Sequence, residues 1–271
     1  MTKVLVLDSC VFRGTQQAKL IQFAGDHCLV LSYVLGVECI ATQNDDSIAL
    51  LQRFQDLIRA GAYCGRSPLK LCEEEKRNLS PARTIIDLEA TDCVRKYTLE
   101  ATGDDVRSET QQYRESVVPI VAGVLQLAEA FYDNITLQDL LYDMRQETDR
   151  PVRLRKWIET VDRLGNELMA RAQPDLATHW TDEWYVWHDA RLRCVLALDW
   201  ACMNTQGGMP GQENALHDFH DMQHVTYLSK ADGLLTRDIR LVEPLTRAAF
   251  PNKDLFSDIS QVTSGYRFGS S

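Results

Sequence analysis

Long hydrophobic runs are missing from this sequence: no uncharged stretch approaches the roughly 20 apolar residues that a membrane-spanning helix needs, so no membrane association is expected. Positive charge is also scarce. The 29 Lys and Arg against 39 Asp and Glu leave a formal net charge of -10, which argues against a general polyanion-binding surface. Any contact with nucleic acid must therefore be local. The eight cysteines, Cys10, Cys28, Cys39, Cys64, Cys72, Cys93, Cys194 and Cys202, contain no CxxC pair, and no signal-like h-region precedes them. Free buried thiols in a cytoplasmic protein are expected, rather than disulfides or a zinc cluster. No GxxxxGK(S/T), HExxH or GxSxG motif occurs, which sets aside nucleotide-loop and serine-hydrolase chemistry. Internal repeats and low-complexity linkers are absent as well.

What is present is ordinary globular material, with 45% hydrophobic and 25% charged residues in 271. Both ends of the sequence alternate apolar runs with helical patterns. Residues 4–7 read as a buried strand and 14–23 as a helix. Residues 28–31 read as a second strand, followed by Ser32 as a helix cap and a helix over 33–41. Near the other end, 214–231 reads as a helix, 233–236 as a strand, 240–250 as a helix and 255–259 as a last strand. This alternation predicts an α/β fold, a parallel sheet covered by helices.

Between the ends the pattern is helical: over 47–60, 82–99, 108–132, 137–146 and 184–203, with Trp157, Val161, Leu164 and Leu168 as one helix stripe. Gly207, Gly208, Pro210 and Gly211 mark the loop that returns to the α/β part. The expected organisation is a discontinuous domain from 1–60 and 210–262, a helical insertion over 61–209 and a flexible tail over 263–271.

Open parallel sheets collect their sites outside the carboxyl ends of the strands. That rule places Asp8 after the first strand, Glu38 on the helix after the second, and Asp238 after 233–236, with Asp221 on the preceding helix. Each acid has a plainer reading: a turn acid at Asp8, a helix cap at Asp238. Asp218 and Asp232 are alternatives to Asp221. Two carboxylates at 4 Å repel by about 4 kcal/mol at an effective dielectric near 20, so such a cluster calls for a cation. All-oxygen ligation suits Mg2+ or Mn2+.

The segments VLVLDSCVF, YVLGVECIA and DMQHVTYLSKADGLLTRD resemble the PIN-domain nucleases. The resemblance implies a three-layer α/β/α parallel-sheet fold and Mg- or Mn-dependent endoribonuclease activity on RNA, single-stranded RNA included. It gives Asp8, Glu38, Asp221 and Asp238 the catalytic metal-ligand roles, and Thr236 an orienting one. A homo-oligomer and a protein inhibitor or antitoxin are further partners open to such a chain. The gap from Glu38 to Asp221 is far longer than in compact members, which points to a larger enzyme selecting substrate through its helical part.

Two other constellations compete. His217, His220 and His224 with Asp221, together with His188 and Asp189, suggest an HD-type metal phosphohydrolase acting on nucleotides. An inactive PIN-like binding module is the other. For substrate contacts, Arg150, Arg153, Arg155 and Lys156 beside Trp157 form a basic stretch, and its plain reading is a solvated helix start with Trp157 in the core. Lys230, Arg237 and Arg240 flank the proposed metal site.

Overall fold

The computed structural model describes residues 2–41, 45–97, 103–172, 181–203 and 209–268. Among them, six short strands form one sheet: β1 (Leu5–Leu7), β2 (Leu29–Leu31), β3 (Tyr63–Gly65), β4 (Ile86–Asp87), β5 (Gly233–Leu235) and β6 (Asp254–Phe256). Their order is β4-β3-β2-β1-β5-β6, with every neighbour parallel except β3 and β4. The expected parallel sheet is thus a mixed one with an antiparallel edge.

Side chains alternate across the sheet, and both faces are covered. Leu5, Leu7, Leu29, Leu31 and Leu235 face a core shared with α1 (Ser9–Gly14), α2 (Gln17–Asp26), α4 (Asp45–Ala60) and α6 (Leu88–Lys96). Helix α3 (Tyr33–Ala41) leaves the end of β2 and gives Leu35 and Cys39 to this core. Val6, Val30 and Leu234 face the second core, shared with α5 (Pro68–Asn78), α7 (Gly103–Asp133), α8 (Gln138–Arg145) and α9 (Arg150–Arg163). After α10 (Gly165–Ala172), helices α11 (Tyr185–Met203), α12 (Gln212–Thr226) and α13 (Val242–Ala249) join this second core too. Most of α11 is buried, and its buried charges are paired: Asp189 with Arg193, Arg191 with Asp162, and Asp199 with Arg150 and Arg153. Its start is pinned by the fully buried Glu75 of α5, whose carboxylate accepts the N–H groups of Tyr185, Val186 and Ala82 at 2.8–2.9 Å.

Several expectations are corrected. The helix read over 14–23 is two helices, because Asp8 caps α1 directly and the chain turns extended at Thr15. The stretch 61–209 holds two strands of the sheet, β3 and β4, so the sheet extends past residue 60. Residues 82–85 are not helical: Ile85 C=O accepts Arg66 N–H at 2.7 Å and leads into β4. The last strand ends at Phe256, short of 259. In α9 the buried stripe is Leu154, Trp157, Ile158 and Val161, while Leu164 is exposed at the helix end. The Leu168 side chain, Leu99, Gly207 and Gly208 lie outside the described residues. Cys93 is exposed and Cys10 half-buried; the other six thiols are buried and all eight are free. The segment Glu115–Asp133 of α7 is long and apolar enough to match a membrane span by length and composition, although it carries charges; its Val117, Val121, Val124 and Ala128 belong to the second core.

The tail expected to fray over 263–271 is packed as far as Phe268. Tyr266 is fully buried, donates its hydroxyl to Asp254 at 2.9 Å and accepts Cys28 N–H on its carbonyl at 2.9 Å. Residues 269–271 lie outside the described residues. The space for this ring exists because residue 233 is glycine: a Cβ there would stand 2.5 Å from the Tyr266 hydroxyl and 3.1 Å from Asp254 O. Gly233→Ala is expected to cost about 1–3 kcal/mol, the range for overpacking. Urea unfolding should show a smaller cost in a Tyr266→Phe background, where the clashing oxygen is gone; equal costs in both would remove this explanation.

Candidate active site

The strand order reverses about β1: β2 and β3 run outward on one side, β5 and β6 on the other. The crevice beyond the carboxyl ends of β1 and β5 is therefore the topological switch point, where loops part and a ligand can enter. Asp8 and Thr236 follow these two strands. Asp8 is 1% exposed, and both its carboxylate oxygens are occupied. Oδ1 accepts Ser9 N–H at 2.6 Å; Oδ2 accepts the Thr236 hydroxyl at 2.5 Å and the Cys10 thiol at 2.9 Å. Burial, then the Asp8 charge, push the Cys10 thiol up to about 12, so it stays protonated as a donor.

Thr236 does two things at once. Its oxygen accepts Asp238 N–H at 3.0 Å while its proton goes to Asp8, which sets the two acids in a fixed relation. Asp238 Oδ1 in turn closes the turn into α13 by accepting Arg240 and Leu241 N–H at 2.7 and 2.8 Å. Asp238 therefore braces the turn before α13 rather than capping the helix, whose N-cap position is Leu241, and it is linked to Asp8 through Thr236.

Glu38, from α3, faces α12: its Oε1 lies 3.6 Å from His220 Nδ1. Burial acts to raise this carboxyl, but the His220 hydrogen bond, the charges of His224 and His220 and the Ser9 hydroxyl outweigh it, so it ionises below its ordinary value. Asp221, the next residue along α12, is pushed up to about 8 by burial and by the charges of Asp238, Asp8 and Glu38, against the pull of Arg240. Asp221 thus lies within electrostatic reach of the other three acids expected from the sequence. Arg240 binds Asp218 Oδ1 at 2.9 Å and Asp221 Oδ2 at 3.3 Å, and its side chain is 59% exposed.

The alternatives have partners of their own, although Asp218 shares Arg240 with Asp221. Asp218 also accepts the Trp200 indole N–H at 3.1 Å, which gives it a packing role. Asp232 precedes β5 and accepts Val4 N–H at 2.8 Å, at the opposite end of the strands from Asp8. His188 contacts Asp182 O at 2.8 Å and Asp189 pairs with Arg193 at 2.7 Å, so this His-Asp doublet is engaged away from the α12 histidines. In the basic stretch, Arg150 and Arg153 are bound to the buried Asp199, Lys156 to Glu147, and Trp157 is fully buried. Trp157 is in the core as the plain reading has it, but the helix start is not simply solvated: Arg150 and Arg153 turn inward to Asp199, and of its basic residues only Arg155 and Lys156 are exposed.

Sequence reasoning took His224 only as part of a transition-metal alternative and missed Ser32 and Ser9 as site residues. Ser32 Oγ accepts Leu35 N–H at 3.1 Å and shares a hydrogen bond with His224 Nδ1 at 3.0 Å. The other ring nitrogen, Nε2, has no hydrogen-bond partner, is fully buried and lies 3.7 Å from Asp8 Oδ1. The HDMQH spacing was the signal: Asp221 and His224 are three apart on one helix face.

Among the described residues no group of three or more His, Cys, Asp and Glu side chains is arranged to hold a metal ion as it stands. The cause is visible in the bonds above, since each acid is turned toward a protein donor. Asp221 is driven to hold a proton near neutral pH by burial and by the charges of Asp238, Asp8 and Glu38, a strain that a hard cation bound by carboxylate oxygens would relieve. No protein-family model matches the chain, and neither curated proteins nor solved structures include a significant match to it.

Proposed function

We propose that the protein is a Mg2+- or Mn2+-dependent nuclease of PIN-like architecture that hydrolyses phosphodiester bonds in RNA at the Asp8, Glu38, Asp221 and Asp238 crevice. The observation that supports this reading is that Asp8 and Asp238, from opposite ends of the sequence, are tied through Thr236 beyond the ends of β1 and β5, while Asp221 feels the charges of both and of Glu38. These four residues would hold the ion. When bound, a divalent ion supplies positive charge at a scissile phosphate and lowers the cost of deprotonating water.

The chain's own groups have separable tasks. Ser9, Cys10 and Thr236 fix the Asp8 carboxylate so that it need not reorient during reaction. Arg240, exposed beside Asp221, is placed to steady a phosphate oxygen. His224 turns Nε2 toward Asp8 from a fully buried position and positions that carboxylate rather than touching substrate. RNA is favoured over DNA by the family resemblance alone, and the free thiols suit a reducing, cytoplasmic setting.

The test is incubation of purified protein with single-stranded RNA and DNA in Mg2+, Mn2+ or EDTA, beside Asp8→Asn and Asp238→Asn. Cleavage of RNA with either ion and none in EDTA is expected, with a loss of about a hundredfold or more in each variant, the upper range reported for groups supporting a metal centre. Cleavage that survives both substitutions sinks the assignment. No cleavage together with no thermal stabilisation by Mn2+ would favour an inactive binding module.

A further inference from the structure

Apart from the carboxylate crevice, a groove of about 670 Å3 runs between α5, α7 and α11. Its volume falls in the range of small-molecule sites. One wall is α7, which turns Val117, Ile120, Val124 and Leu127 to it at helical spacing. From Val117 to Leu127 this makes an apolar strip about 15 Å long, at 1.5 Å per residue. Across from it, α11 contributes Val186 and Ala190. The Cys72 and Cys194 thiols extend the apolar surface, since burial pushes both up, Cys194 to about 12, and keeps them uncharged.

Charge in the lining has one sign to spare. Among the described residues Asp189 is the only acid there, and it pairs with Arg193 at 2.7 Å, so the two cancel. Lys76 remains. It is exposed and forms no ion pair among the described residues. On α5 it follows Leu69 and Cys72 along one face, at i, i+3 and i+7, so its methylene stem continues the apolar wall while its ammonium stays in water at the mouth.

We propose that the α5–α7–α11 groove binds a free, unbranched medium-chain carboxylate, with its acyl chain along the α7 strip and its carboxylate at the mouth beside Lys76. The two parts contribute differently. The head group stays hydrated, so its pairing with an exposed ammonium favours the anion over a neutral head by only about two- to fivefold. The chain supplies most of the affinity, about fourfold for each methylene taken out of water. This inference does not depend on the nuclease reading.

The test titrates the full chain with hexanoate, octanoate, decanoate and the neutral octanamide, each below its micelle-forming concentration, followed by ligand-observed NMR. Affinity is expected to rise about three- to fourfold per added methylene. Octanoate should bind ahead of octanamide by about two- to fivefold. Lys76→Glu should reverse that order and, at an exposed position, leave thermal stability unchanged. Ile120→Trp fills the groove and should abolish binding of every probe. The proposal is overturned if no carboxylate binds, if affinity is flat with chain length, if octanamide binds as well as octanoate, if Lys76→Glu still prefers octanoate, or if folded Ile120→Trp binds like the parent.

Discussion

In the ion-free protein, stability should fall as pH rises from about 4 to about 8, and Asp221→Asn should remove most of that fall. Asp221 ionises at about 8 in the folded chain against 3.8 for the ordinary group, chiefly through burial and then through Asp238, Asp8 and Glu38. Between those values the unfolded chain has released this proton and the folded chain still binds it. Each pH unit therefore costs the fold about 1.4 kcal/mol. The contribution is fully present below the unfolded value and is lost by the time pH has passed the folded one. The ceiling is on the order of 5 kcal/mol.

Urea unfolding in EDTA at pH 5 and pH 8.5 measures this directly. Asp221→Asn should be the more stable protein at the higher pH, and Mn2+ should stabilise the parent far more than the variant. A substitution that stabilises the fold while removing activity is the expected mark of a site whose charge is arranged for a ligand. Parallel pH curves for the two proteins would rule out Asp221 as the strained group.

Asp199→Ala should destabilise the protein by about 3–5 kcal/mol, the cost of leaving a buried charge without its partner. Asp199 is fully buried on α11 and receives Arg150 Nε and Nη2 on one oxygen, at 3.2 and 2.9 Å, and Arg153 Nε on the other at 2.7 Å. Arg150 reaches further, donating Nη1 to Arg240 O at 2.9 Å. The same aspartate thus holds two helices together and steadies the turn that carries Asp238. Chemical denaturation should show the loss, and an Asp199→Asn variant should recover only part of it, keeping the shape without the charge. A cost below about 1 kcal/mol for Asp199→Ala would place these ion pairs among the weak surface kind.

The parts of this fold legible in the sequence are those where local and tertiary demands agree. Helix α3 runs over the predicted residues, and β1, β2 and β5 each fall within one residue of their apolar runs. Strands β3 and β4, Tyr-Cys-Gly and Ile-Asp, escaped because neither carries an apolar run like the Leu-Val-Leu of β1 and β2. The packed tail escaped for a different reason. Tyr266 is anchored by an absence, the missing Cβ of Gly233, and no window of sequence joins those positions.

The candidate acids were visible because carboxyl ends of strands are privileged places, whatever occupies them. Their partners were not, since a hydroxyl such as Thr236 or Ser32 is unremarkable until its bonding directions are known. The basic stretch at Arg150 misled for the converse reason: charge density reads as a surface feature, and the buried Asp199 that absorbs it lies 49 residues away.

The bond from Thr236 to Asp8 closes a loop of 228 residues. During synthesis β1 therefore emerges with one flank open, and its second parallel neighbour arrives only after the helical region has been made. Such a topology has a high contact order, and the central strand is the last to be enclosed. The region beyond β1 and β5 is then among the last parts of the molecule to assemble, so no nascent fragment lacking β5 carries the full set of candidate acids. The cost is an apolar strand edge exposed for the longest part of folding, where chaperone engagement and aggregation compete.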